Sequence, residues 1–236
     1  MVMTNQPGRP LKHPSECESE EELAELTATA MDRAACGYAH HLYWRKDFQR
    51  LARLKKLEQV EQDRIFNELV VSCVVLLMLV HEAPDLRVDE DMKPHMQRIK
   101  EALPGAHLNE LREMGVKEQH LRDWGELIRL RHEEYAKDRH EVRAAGMELA
   151  SGDGALDPED LREIQLMLPL HTVAIGCHDH VVRGESKGRD ELFKLILNAL
   201  GKFYVEFRVR LEGGKITPLD RARVGTRRFF RSLGKK

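Results

Sequence analysis

Five arginines and two lysines near the C-terminus, Arg221, Arg223, Arg227, Arg228, Arg231, Lys235 and Lys236, point most directly to chemistry by type and spacing. Guanidinium forks bind phosphate oxygens, and release of a polyanion's counterions drives the association. Thr217, Pro218, Leu219 and Asp220 come just before them. These read as a helix opening: a capping hydroxyl, a proline where no donor is needed, and an acid at the capping-box position. At about 100° per residue, a helix from there to Leu233 gathers Leu219, Ala222, Thr226, Phe229, Phe230 and Leu233 on one side and most of the arginines on the other. The spacing predicts a basic face for phosphates, with nucleic acid as the natural partner. A competing expectation is that the apolar side docks on the body and the arginines meet water or the acids of residues 16–25. An amphipathic helix on an anionic membrane fits less well, because the apolar face is narrow and contains no Trp.

A second chemistry, metal binding, is suggested by carboxylates and imidazoles at helical spacing. Glu58, Glu61 and Glu68 share one side of a helix, Glu126, Glu133 and His140 recur every seven residues, and His171 and His178 repeat that interval. Helical bundles that hold two metal ions project ligands inward in this way. The candidate set is Glu61, Glu68, Glu133, His140, His171 and His178, for iron, manganese or zinc. The Glu-x-x-His pair that usually marks such sites is absent, so no cofactor is the first expectation and a bundle metalloprotein the alternative. Tyr38, His40, His41, Tyr43 and Trp44 form an aromatic and histidine cluster that suits packing better than base stacking. A nucleophile elbow, a phosphate loop and a dinucleotide fingerprint are all missing, and the expectation is a non-enzymatic protein.

Charge is divided along the chain. From Arg183 to Lys236 there are 15 Lys/Arg against 6 Asp/Glu, while the preceding residues hold 23 against 34, giving the near-neutral total of −2. A basic end of this kind meets a polyanion, an acidic protein surface or the acidic part of a second copy. Pro7, Gly8, Arg9, Pro10 and Lys12 resemble the core of an AT-hook, in which an extended Arg-Pro segment enters a narrow minor groove, although two charges on a single arm bind weakly. The four cysteines are far apart and form no Cys-x-x-Cys pair, which suits reduced thiols in a cytoplasm. No secretory leader is evident. The apolar run Leu69 to Val80 is twelve residues, short of the ~20 that cross a bilayer, and no membrane partner is expected.

The elements that must position these groups read as helices. With 42% apolar residues and 236 in all, the chain can fill a core without disulfides or metal, and the expected fold is an all-α bundle of six to nine helices. Residues 1–18 are expected to be a mobile arm, 19–182 an acidic bundle, and 183–236 a basic helical region packed on it or separate. Ser19 with Glu22 predicts a helix start near residue 20. The 46 residues between Gly37 and Pro84 lack Gly and Pro and predict one long helix or two in succession, irregular near Arg53 to Lys56. Asp89, Met92 and Pro94 suggest a start, with Pro104-Gly105 as its end. A long helix is expected from Glu118 to about Ala150, and Asp157-Pro158 opens another in which Pro169 makes a kink or restart. Residues 203–211 alternate as a strand would, though helical spacing over 190–211 favours helix.

Overall fold

The computed structural model describes residues 11–151, 157–184 and 187–215. Among them are seven α-helices and no strand: α1 (Glu20–Tyr43), α2 (Lys46–Leu51), α3 (Gln59–His81), α4 (Lys93–Glu113), α5 (Glu118–Ser151), α6 (Pro158–Val182) and α7 (Asp190–Leu211). Residues 203–211 are helical, and the chain is an all-α bundle. Residues 1–10 and the arginine-rich segment lie outside the described residues.

Local signals set most boundaries. The Ser19 hydroxyl accepts from the Glu22 amide at 3.1 Å to open α1, whose first turn holds three glutamates. The Asp157 carboxylate does the same for the Asp160 amide at 2.7 Å, with Pro158 at the first position of α6. Between α2 and α3 the chain turns where Arg53 takes a left-handed conformation, φ 57°, followed by the single 3₁₀ turn Leu54–Lys56. The irregular stretch in the sequence is this break.

Helix α3 forms the centre. Every residue from Leu69 to Val80 is buried, and α1, α4, α5, α6 and α7 all pack on it. Valine costs at most about 0.7 kcal/mol in helix propensity, while full burial of such a side chain returns roughly 1.5–3 kcal/mol, so burial decides. Among the described residues α3 is the helix long and apolar enough to cross a bilayer, at 23 residues, and 78% of its apolar window is buried inside the bundle.

Two expectations need correction. Pro104 does not end its helix, because α4 continues from Lys93 through Pro104 to Glu113. The cost of an interior proline, about 3 kcal/mol, is offset by a buried stripe on both sides of it: Ile99, Leu103, Ala106, His107 and Leu111. Pro169 likewise sits inside a continuous α6 and is itself buried. Of the two arrangements open to the basic region from Arg183, packed on the bundle or separate, its described part takes the first. Leu192, Ile196, Leu200, Phe203 and Val205 of α7 belong to the same core cluster as α3 and α6.

Candidate functional site

The six carboxylates and histidines proposed as metal ligands are not brought together. Glu61 faces Arg64 at 3.1 Å and Arg183, and Glu133 is exposed on α5 beside Arg129 at 2.6 Å. His140 is exposed on α5. Glu68 is buried and takes a two-pronged bond from Arg131, 2.7 and 3.0 Å, which ties α3 to α5. His171 borders a cleft of about 450 Å³ between α5, α6 and α7, with Val142, Met167 and Asn198. His178 lies edge-on to Phe193 with ring centroids 5.6 Å apart. Burial holds both imidazoles below the ordinary histidine value, favouring the neutral form.

A different group does converge. Asp32 and Cys36 lie one turn apart on α1, and His107 comes across from α4, so that one oxygen, one sulfur and one nitrogen fall within 4.8 Å of one another. Among the described residues this is the one group of three or more such side chains at ligand spacing. His107 Nδ1 is 2.9 Å from Asp32 Oδ1 and 3.7 Å from Cys36 Sγ. The Cys36 thiol is 3.8 and 3.9 Å from the two Asp32 oxygens. Asp32 and His107 are each only 1% exposed. Trp124 of α5 packs its ring edge-on to His107, with ring centroids 5.0 Å apart.

The sequence places the three side chains through two stripes. On α1 the buried positions before its last turn are Ala24, Ala28, Asp32, Ala35 and Ala39, and the alanines among them leave room for α4, which packs along this helix. On α4, His107 continues the four-residue spacing of Ile99 and Leu103. Arg33 then clamps the helices beside the group, its Nε and a terminal nitrogen each 2.8 Å from Glu110.

Nucleophilic catalysis does not fit this geometry. Asp32 and Cys36 both address the same imidazole nitrogen, whereas a catalytic relay holds the acid and the nucleophile on opposite nitrogens. Burial pushes the Cys36 thiol well up, with the Asp32 carboxylate adding to the effect. It also raises Cys73, and Cys177 to about 12. An attacking thiolate needs the opposite shift.

Sequence reasoning missed this group. The Asp-x-x-x-Cys spacing was available, but His107 is 71 residues from Cys36 and reads in sequence as one more position of a core stripe. The arginine and lysine face, Arg221, Arg223, Arg227, Arg228, Arg231, Lys235 and Lys236, and the Pro7–Pro10 segment lie outside the described residues. The aromatic cluster packs in part: Tyr38 donates to the Ala199 carbonyl at 2.7 Å and Tyr43 meets Phe66 edge-on at 5.3 Å, while His41 and Trp44 are exposed.

Comparison of the chain with protein-family models, with curated proteins and with solved structures returned no match.

Proposed function

We propose that the chain is a non-enzymatic polyanion-binding or adaptor protein of the cytoplasm, in which a helical bundle presents a C-terminal arginine-rich segment to the phosphates of nucleic acid. The observation that carries this reading is the change of sign along the chain, 15 Lys/Arg against 6 Asp/Glu from Arg183 onward and 23 against 34 before it. Two features of the bundle support it. Helix α7 closes on Gly213, φ 72°, and the Gly214 amide donates back to the Val209 carbonyl at 2.7 Å, so the basic segment begins beyond a firm helix stop. Three of the six acids of residues 16–25 that could serve as its internal counter-charge already have cationic neighbours: Glu22 faces Lys12, and Glu20 and Glu21 face Arg98. The burial of α3 supports its role as a core helix rather than a bilayer span.

The test is fluorescence anisotropy with labelled duplex DNA and single-stranded RNA over a salt series, comparing the full chain with its Arg227→Ala, Arg228→Ala form. The expected result is binding that weakens steeply with salt. The double variant should bind more weakly to every sequence alike, with a salt slope flatter by about two. Equal binding of the two proteins at low salt, or none by either, overturns the proposal.

A further inference from the structure

We infer that Asp32, Cys36 and His107 form a metal site of the zinc class between α1 and α4, independent of the arginine face. Zinc bonds of about 2.3 Å to sulfur and about 2.0–2.1 Å to nitrogen or oxygen, at a tetrahedral angle, place ligand atoms about 3.6 Å apart for S···N and S···O and about 3.3 Å apart for N···O. The three sulfur distances, 3.7, 3.8 and 3.9 Å, are already close to that spacing. The nitrogen and the carboxylate oxygen stand 2.9 Å apart, a hydrogen-bonded separation. They open by about 0.4 Å when the ion takes the place of the proton between them.

Charge leads to the same assignment. The Asp32 carboxyl group is 1% exposed, and its hydrogen-bond partners are the Cys36 thiol and the His107 imidazole, both groups that can bind a metal ion. A dication bound by one carboxylate, one thiolate and one neutral imidazole leaves the site with no net charge. Two proton movements accompany binding. The Cys36 thiol releases its proton to solvent, and His107 binds through Nδ1 with its proton on Nε2, a buried atom for which the structure shows no acceptor, a cost that the metal bonds must offset. A thiolate donor beside a single carboxylate favours zinc over manganese. Three protein ligands leave a fourth position for water or a ligand from outside. Cys36 is the partly exposed member of the group.

The probe is cobalt(II), titrated into the full chain after chelator treatment. The expected result is a thiolate-to-cobalt charge-transfer band that saturates at one equivalent, with visible bands of four-coordinate intensity, both removed by one equivalent of zinc. Cys36→Ser and His107→Gln, checked for fold by circular dichroism, should lose the band, while Cys17→Ser keeps it. Should either variant fail to fold, zinc must still protect Cys36 of the unaltered chain from maleimide, read by peptide mass. Absence of a saturable band in the unaltered chain, its survival in a folded Cys36→Ser or His107→Gln, or labelling of Cys36 unaffected by zinc overturns the site.

Discussion

Tyr135 and Gly176 show how closely individual residues are fitted in this bundle. The Tyr135 ring, fully buried on α5, lies against the backbone of α6 where Gly176 has no side chain. A Cβ added at Gly176 would sit 2.1 Å from a ring carbon, far inside contact distance. The ring is hemmed into the core and has nowhere to go without disturbing α3 and α6. Gly176→Ala is therefore expected to destabilise the protein by about 1–3 kcal/mol or more through overpacking, despite the better helix propensity of alanine. A urea midpoint equal to that of the unaltered protein would disprove this contact. Neither this fit nor the Asp32, Cys36 and His107 group was legible in the sequence. A glycine inside a helical pattern looks like a weak position, and a histidine on a core stripe looks like a core residue. Only the neighbouring helix gives each its meaning. The same holds for Glu68, a wheel-facing acid in the sequence and a buried arginine partner in the structure.

At the scale of elements, the sequence marks the boundaries written by short-range chemistry and not those decided by packing. The caps at Ser19 and Asp157 act within three residues, so the sequence contains all they need. Pro104 is different: its local preference is to stop a helix, and the buried stripe of α4 on both sides overrides it. The α1 interface depends on small residues in a comparable way. Ala28 and Ala35 are wholly buried on the helix that α4 and α3 pack against. Ala35→Leu adds volume where no space exists and is expected to cost about 1–3 kcal/mol. It should also separate α1 from α4 and slacken the Arg33–Glu110 clamp. Thermal unfolding checks the first effect. Faster amide hydrogen exchange confined to α1 and α4 checks the second, and uniform exchange would count against it.

For the whole molecule, charge and burial together set the response to pH. Burial holds the imidazoles of His81, His171 and His178 below their ordinary value of 6.5. The unfolded chain therefore takes up protons first as the pH falls. The stability these groups contribute is complete above about pH 6.5 and is lost progressively below it, down to their depressed folded values. Burial opposes ionisation of Glu82, but the hydrogen bond from His132 and the charges of His132, Arg139 and Lys100 more than offset it and hold the carboxyl below its usual range. Its contribution is lost lower, as the pH falls below about 4.5 toward the depressed value. Urea midpoints should accordingly fall between about pH 7.5 and about pH 5, with a shallower fall for His81→Gln. A flat profile over that range would refute the account. The sequence by itself determined the helical class, the caps, the buried apolar run and the division of charge, because each is written in residue types a few positions apart. The tertiary structure alone decided that α7 joins the core, that Pro104 lies within a helix, and that Asp32 and Cys36 meet His107. Those outcomes depend on which helix faces surround one another, and a contact between residues more than 70 positions apart leaves no period in the chain.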